Sequence, residues 1–385
     1  MEFEFATASR IIFGPGAVRE VAPAVSEIGR RAFIVAGRTA DRTQPLLDQL
    51  KKQKIEFDIF NVAGEPTTEL ASAALHRCRR VTFDVVIGIG GGSVLDTGKV
   101  IAAMITNPGD LLDYLEIIGR GKKLSQSPVP YIAIPTTAGT GAEVTRNAVL
   151  GAPEHQVKVS MRSPMMLPDL AVVDPCLTHS MPPDITASTG LDALTQLLEA
   201  YVSNKSNPLT DGICREGLQR AACSLKRAYE DGSDEIAREN MSLASLFGGL
   251  ALANAKLGAV HGFAGPMGGV FSAPHGFICG RLLPFVMEAN VKALQSRAPD
   301  TEHLSRYDEV ARIITGNNRA RAADGVAWVQ NLCTELKVPS LSVFGIKDAD
   351  IPLVVAKSKN ASSMKGNPII LTDEELAEIL KKAIS

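Results

Sequence analysis

The chain has 385 residues, of which 45% are hydrophobic and 21% charged, so it has enough apolar material for two cores. Its 42 acidic and 40 basic residues nearly cancel, which excludes the strongly basic surface of a typical nucleic-acid-binding protein. The acidic N-terminal sequence lacks the positive charge of a signal peptide, and no run of about eighteen apolar residues follows. We therefore expect a cytoplasmic protein that acts on small molecules, without a nucleic-acid or membrane partner.

The cysteines are scattered and form no C-x-x-C pair. This spacing disfavours both a thiolate zinc site and a disulfide framework, so we predict free, structural thiols. The six positions are Cys78, Cys176, Cys214, Cys223, Cys279 and Cys333.

The first half of the chain alternates short apolar runs with helical patterns. The β-branched and apolar runs cover residues 32–36, 85–89, 131–134 and 170–173. This alternation is typical of a parallel sheet with crossover helices. We therefore predict an α/β domain over residues 1–180.

The pattern changes after residue 180. Strand-like runs disappear, and long helical patterns cover residues 186–202, 208–230 and 234–255. We predict a second, all-helical domain over residues 181–385.

A glycine-rich turn, GIGGGSVLD at residues 88–96, follows one of the apolar runs. Its glycines let the backbone approach an anion, and the free amides of the next helix can bind a pyrophosphate. Gly91, Gly92, Ser93 and Asp96 are therefore candidate cofactor-binding residues. A serine stands where the ordinary dinucleotide fingerprint needs its third glycine, and Ser93 with Asp96 also fits a purely structural capping box.

A hydroxyl-rich loop, PTTAGTGAEVT at residues 135–145, follows the next apolar run. Thr136, Thr137 and Thr140 offer donors suited to phosphate or ribose oxygens, although turn and helix-cap roles are the alternative. Ligands of open α/β sheets bind beyond the carboxyl ends of the strands, where both loops are expected. Together the two loops predict a dinucleotide site.

The helical half contains a candidate metal site. Asp192 and Gln196 stand four residues apart on one helical face among leucines, so the carboxylate is expected to be buried and to need a cation. His261 and His275 lie among small residues that permit close approach, and carboxylate with imidazole suits Zn²⁺ or Fe²⁺. Each histidine taken alone is more often a hydrogen-bonded core residue, so the spacing by itself does not prove a metal site.

With these motifs in this order, the chain resembles the iron-containing (group III) alcohol dehydrogenases nearly from end to end. The resemblance implies an N-terminal α/β dinucleotide-binding domain with a parallel sheet and an all-α metal-binding domain, the dehydroquinate synthase-like architecture. It also implies hydride transfer between an alcohol and NAD(P), with the reverse reduction of aldehydes or ketones. The matching segments are residues 12–16, 90–96, 135–145, 167–175, 190–195, 274–276 and 282–284.

The resemblance also implies site residues. Asp192, His261 and His275 match three family metal ligands and would be catalytic, whereas Gln196 stands where the family usually has a fourth, histidine ligand. An amide oxygen is a weaker ligand than imidazole, so the metal, Fe²⁺ or Zn²⁺, stays open. Gly265 also departs from the family, because many relatives have a histidine there.

The cofactor preference depends on the segment after the first apolar run. Relatives that use NAD often have aspartate at Gly37, and its absence here removes a repulsion from a 2′-phosphate. Arg38, Thr39 and Arg42 could contact that phosphate, which favours NADP over NAD, although solvated arginines are the alternative. Lys158 matches a family lysine placed beside the nicotinamide ribose.

Two further functions share this fold. A maleylacetate-reductase-like enzyme would reduce a keto acid without a metal, and a dehydroquinate-synthase-like lyase would cycle its hydride internally. The Asp192, His261 and His275 set fits the dehydrogenases better. A homodimer or larger homo-oligomer is the expected assembly.

Overall fold

The computed structural model describes residues 2–385, which form two compact units. Ala6–Thr137 and Gly141–His179 make up the first, here called the α/β unit. Ser180–Ser385, together with the short segment Ala138–Thr140, lies in the second, here called the helical unit.

The centre of the α/β unit is a parallel sheet with the order β1-β8-β5-β4-β2-β3, which places β1 and β3 at its edges. A separate antiparallel hairpin consists of β6 and β7. The strands are β1 Arg10–Phe13, β2 Arg31–Ala36, β3 Glu56–Asn61, β4 Val85–Gly90, β5 Tyr131–Pro135, β6 Asn147–Ala152, β7 Val157–Arg162 and β8 Leu170–Val173.

Apolar side chains on both faces bury the central strands. Along β2, Phe33 and Ile34 belong to different hydrophobic clusters, and Val86 and Ile87 of β4 divide in the same way. Parallel sheets covered by helices on both faces require this continuous hydrophobicity, which confirms the predicted α/β class. The helices of this unit are α1 Val21–Ile28, α2 Ala40–Lys52, α3 Thr68–Cys78 and α4 Gly92–Thr106.

The helical unit is built around α5, which covers Pro183–Val202 and is buried over most of its length. Helices α6, α7 and α9 pack against it. Its polar residues Asp192, Gln196 and Glu199 are also buried, so the centre of this unit holds an unusual concentration of polar groups. The other helices are α6 Pro208–Glu230, α7 Glu235–Ala255, α8 Ala259–Val270, α9 His275–Arg297, α10 Glu302–Thr315, α11 Ala322–Glu335, α12 Ile351–Lys359 and α13 Asp373–Ile384.

No single helix within residues 2–385 combines the length and apolar composition needed to cross a membrane. The pair α7 and α8 passes that test only when taken together, and a bend of 98° separates the two helices.

Candidate active site

Four side chains from three helices of the helical unit bring potential metal-ligand atoms together. They are Asp192 of α5, His261 of α8, and His275 and Cys279 of α9, and their ligand atoms all lie within 4.8 Å of one another. His261 Nε2 is 3.1 Å and His275 Nε2 is 3.8 Å from Asp192 Oδ1. Cys279 Sγ lies 3.8 Å from His261 Nε2 and 3.7 Å from His275 Nε2.

Glu199 holds the imidazole of His261 from the opposite side of the ring. Its Oε2 lies 2.7 Å from His261 Nδ1, and its Oε1 accepts a 2.6 Å hydrogen bond from the amide of Val260. When Nδ1 donates its proton to Glu199, the Nε2 lone pair faces Asp192 and Cys279. Such a carboxylate partner fixes the tautomer and orientation of a metal-binding histidine.

The side chains of the cluster shift one another's pKa values. Burial disfavours the charged form of Asp192, but the hydrogen bond with His261 and the charge of His275 outweigh burial and lower the pKa of the carboxyl. Burial likewise opposes ionisation of Cys279, yet the charges of His275 and His261 lower the pKa of its thiol. Both shifts favour the deprotonated groups, which are the forms that bind metals.

This donor set fits a divalent cation. One carboxylate, one thiol with a lowered pKa and two imidazoles converge in a buried place, and the carboxylate and thiolate charges together balance a 2+ ion. The His275 side chain is 33% exposed, whereas those of Asp192 and His261 are at most 7% exposed. The cluster is therefore enclosed except on the side of His275.

The two departures from the family pattern lie close to these ligands. Gln196 is one turn from Asp192 on α5 and has a buried Oε1 for which residues 2–385 supply no hydrogen-bond partner. Its role as a ligand stays a prediction. Gly265 is one turn after His261 on α8, and no atom of the described residues lies within 4 Å of the position that a β-carbon would occupy.

In the α/β unit, three predicted loops lie side by side at the carboxyl ends of β2, β4 and β5. Gly37 N donates to Ile89 O at 3.3 Å, and Thr136 N donates to Gly90 O at 2.9 Å. A β-carbon on Gly91 would lie 3.3 Å from the Thr137 side chain. The turn after β4 and the loop after β5 are thus in contact, as expected for one ligand site.

The start of α4 keeps free amides for such a ligand. The helix begins at Gly92, and no side chain among the described residues caps it. The structural alternative for this turn, a capping box of Ser93 and Asp96, is wrong, because Gly91 is the N-cap residue and Ser93 lies inside the first turn. The uncapped amides and the helix dipole favour an anion there.

The remaining predicted cofactor residues have different surroundings. Arg38 is exposed, and Lys158 on β7 pairs with Glu65 at 2.9 Å. Thr140 is exposed and belongs to the segment that groups with the helical unit. Asp96 points inward, where its Oδ2 accepts a 2.9 Å hydrogen bond from the amide of Val149.

Asp96 is part of a second buried polar cluster, which is centred on Lys99 of α4. The Lys99 ammonium is fully buried, donates to Thr145 Oγ1 at 2.8 Å and lies 3.5 Å from Asp96 Oδ1. Burial lowers the pKa of Lys99 and raises the pKa of the neighbouring Glu143 to about 7. We call Lys99, Asp96, Glu143 and Thr145 the lysine cluster.

Sequence reasoning missed two residues of the metal cluster. Cys279 was expected to be a structural thiol, yet it follows His275 by four residues on α9, a spacing that places both on one helical face. Glu199 follows Asp192 by seven residues on α5, so the same helical periodicity links these two carboxylates.

The chain matches known proteins over nearly its whole length. The family described as "Iron-containing alcohol dehydrogenase" matches residues 8–175, and the "Fe-containing alcohol dehydrogenase family, C-terminal" matches residues 186–384. The 1,3-propanediol dehydrogenase of Klebsiella pneumoniae is 34% identical over 393 residues, covering 99% of this chain and 98% of that protein.

Solved structures agree with these matches. The crystal structure of a 1,3-propanediol oxidoreductase superposes with a TM-score of 0.92 at 32% identity, covering 100% of both chains. Sulfoacetaldehyde reductase from Bifidobacterium kashiwanohense, solved in complex with NAD⁺, gives a TM-score of 0.88 at 28% identity, covering 100% of this chain and 99% of that one.

A parallel α/β unit and a helical unit with a buried metal-ligand cluster define a metal-dependent oxidoreductase that uses a nicotinamide cofactor. The chain belongs to the iron-containing alcohol dehydrogenase family. It is therefore an enzyme of alcohol and aldehyde oxidoreduction. The comparisons do not favour the maleylacetate-reductase-like and dehydroquinate-synthase-like alternatives.

Proposed function

We propose that Asp192, His261 and His275 hold a divalent metal at which a small alcohol is oxidised or a carbonyl compound reduced by hydride transfer with a nicotinamide cofactor. The observation that carries this proposal is the convergence of these side chains from three helices, with Asp192 and His261 buried, His275 partly exposed, and ligand atoms within 4.8 Å of one another. A cluster of titratable groups that shift one another's pKa values is a candidate functional site.

A bound cation supplies Lewis-acid polarisation of the substrate oxygen. The protein positions the ligands and excludes water. Glu199 orients the ring of His261, and the fully buried neighbours Val260 and Ile278 keep solvent from the ligands beside them. In such a dry place each electrostatic interaction is stronger than in water, and the substrate oxygen approaches from the partly exposed side of His275.

We assign the dinucleotide to the loops that follow β2, β4 and β5. The amides of Gly91, Gly92 and Ser93 at the uncapped start of α4 would bind the pyrophosphate. The hydroxyls of Thr136, Thr137 and Thr140 would bind phosphate or ribose oxygens, and Lys158 would lie beside the nicotinamide ribose. Asp96 would support this turn from inside, since its carboxylate holds the amide of Val149.

Among the two nicotinamide cofactors we favour NADP. Gly37 at the end of β2 has no carboxylate to repel a 2′-phosphate, and the exposed Arg38 follows it directly. We expect a higher kcat/KM for NADPH than for NADH and a reversed preference in Gly37→Asp. A preference for NADH in the unmodified enzyme would contradict this assignment.

Other properties extend the same proposal. The nearly balanced charge of the chain supports a small-molecule partner rather than nucleic acid. We further propose a cytoplasmic location without a membrane partner, which is consistent with the family. We expect a homodimer or larger homo-oligomer on general grounds.

The decisive experiment couples metal content to turnover. We would measure oxidation of NADPH or NADH with short aldehydes before and after chelation, and in Asp192→Ala. Both treatments are expected to lower kcat/KM at least about 1,000-fold, because they remove the Lewis acid. Asp184→Ala, an exposed residue at the start of the same helix, is the matched control and should leave kcat/KM unchanged. Full activity after chelation, or in Asp192→Ala, would contradict the proposal.

A further inference from the structure

Cys279 occupies the position in the cluster that a fourth metal ligand would take. His275 is the first residue of α9, and Cys279 follows one turn later on the same face of that helix. Its buried Sγ is 3.7 Å from His275 Nε2 and 3.8 Å from His261 Nε2, so it approaches both imidazoles through the nitrogens that face Asp192.

The spacing of the four donor atoms agrees with a tetrahedral site. Nitrogen or oxygen ligands at about 2.0–2.1 Å and sulfur at about 2.3 Å from a tetrahedral zinc lie roughly 3.4–3.6 Å apart. The separations Asp192–His261, Asp192–His275, His261–Cys279 and His275–Cys279 are 3.1, 3.8, 3.8 and 3.7 Å. The two remaining separations, Asp192–Cys279 and His261–His275, are at most 4.8 Å, so modest side-chain shifts would let all four atoms bind one ion.

Gln196 is placed differently. A β-carbon on Gly248 of α7 would lie 3.1 Å from Gln196 Oε1, so the amide oxygen points towards that helix. The side chain that stands where the family has its fourth ligand therefore faces α7, whereas Cys279 faces the imidazoles.

We propose that Cys279 is the fourth protein ligand of the metal, which gives this enzyme an Asp-His-His-Cys centre. The inference rests on the proposed metal site and concerns which atoms complete it. A thiolate is a soft ligand that Zn²⁺ accepts readily, so the centre selects Zn²⁺ over Fe²⁺. The four side chains would hold the ion, and the ion would supply Lewis-acid polarisation to a substrate oxygen on the partly exposed side of His275.

Cobalt spectroscopy tests this assignment without using turnover. The full-length enzyme is depleted of metal, reconstituted with Co²⁺, and its absorption spectrum recorded for the unmodified protein, Cys279→Ser, Gln196→Ala and Cys333→Ser. Thiolate ligation produces an intense sulfur-to-cobalt charge-transfer band in the near ultraviolet. We expect this band in the unmodified protein, in Gln196→Ala and in Cys333→Ser, whose buried thiol donates to Gly280 O at 3.2 Å.

Cys279→Ser is expected to lose the band and to bind Zn²⁺ at least about 100-fold more weakly, because even outer partners of a metal contribute 10- to 100-fold. Unmodified enzyme that binds cobalt and reduces aldehydes but lacks the band would overturn the assignment and leave the proposed function intact. A protein that binds no cobalt would overturn both. The spectrum of the unmodified protein decides the matter even when Cys279→Ser does not fold.

Discussion

The lysine cluster of the α/β unit and the metal cluster of the helical unit are both buried and polar, and they differ in where their positive charge comes from. In the α/β unit, the ammonium of Lys99 lies beside Asp96 and Glu143, so the chain neutralises the cluster itself. In the helical unit, Asp192 and Glu199 form ion pairs only with histidine imidazoles among residues 2–385. The lysine cluster therefore contains its own cation and supports the fold, whereas the metal cluster is completed by a cation from solution.

Two different experimental responses follow from this comparison. Substitutions in the lysine cluster should act on the free energy of unfolding, since the missing charge cannot be replaced from solution. Substitutions in the metal cluster should act on metal affinity, since metal binding is what completes that cluster.

The largest effect on stability is expected from Lys99→Met, which keeps a long side chain but removes the ammonium. Asp96 and Glu143 would remain buried without a cation, so the free energy of unfolding should fall by about 3–5 kcal/mol. Urea unfolding followed by circular dichroism measures this change. Lys226→Met is the control, because that exposed lysine pairs with Glu335 at the surface and its loss should leave the unfolding midpoint nearly unchanged.

Adding Glu143→Gln to Lys99→Met should restore part of the lost stability, because one of the two acids left without a cation is removed. Equal unfolding midpoints for Lys99→Met and Lys226→Met would show that the lysine cluster does not support the fold.

A pH-dependent effect is expected from Glu143→Gln. Burial raises the pKa of Glu143 from 4.5 to about 7, so the folded protein keeps this proton over a pH range in which the unfolded chain releases it. Its contribution to stability is therefore favourable at low pH and is lost as the pH rises from 4.5 towards 7. Glutamine mimics the protonated acid, so Glu143→Gln should stabilise the protein by about 3 kcal/mol at pH values above 7 and hardly at pH 4.5.

Unfolding free energies measured at several pH values check this sign. The exposed Glu154 supplies the control, because Glu154→Gln should change stability by less than about 0.5 kcal/mol throughout. A Glu143→Gln protein that is less stable than the original enzyme above pH 7 would contradict the prediction.

The smallest effect is expected from Glu199→Gln in the metal cluster. The amide oxygen can still accept on one side, but the NH₂ group then faces an N–H donor on the other side, either that of Val260 or those of His261. The orientation of His261 is weakened, and Zn²⁺ affinity should fall about 10- to 100-fold. Competition with a chromophoric chelator measures this loss, and Glu216→Gln on α6 should not alter affinity. Unchanged Zn²⁺ affinity in Glu199→Gln would show that this carboxylate does not contribute to metal binding.

The interior of the fold could be predicted from sequence, and its edges could not. Strands β2, β4, β5 and β8 have apolar side chains on both faces, and their hydrophobic runs were sufficient to locate them. The edge strand β3 has the sequence EFDIFN and is only partly buried, so charged residues interrupt its pattern. Strand pairing is a tertiary property, and the sequence does not state which strand lies at an edge.

The residues of the two buried clusters could likewise be predicted only in part. The burial of Asp192 could be predicted because leucines surround it in the sequence, and the family resemblance supplied His261 and His275. Cys279 and Lys99 were missed because each has an ordinary local sequence, and its importance arises from helix packing. For both, a helical spacing was present: Cys279 follows His275 by four residues, and Lys99 follows Asp96 by three.

Glu199 links the start of helix α8 to the orientation of a candidate metal ligand. Its carboxylate accepts hydrogen bonds from the backbone amides of Val260 and His261 in the first turn of α8, and it also holds the His261 ring. We therefore expect that unwinding of that turn would move the imidazole away from the cluster, and that a bound ion would stabilise the turn. If so, the rate at which the ion leaves would depend on the local stability of α8.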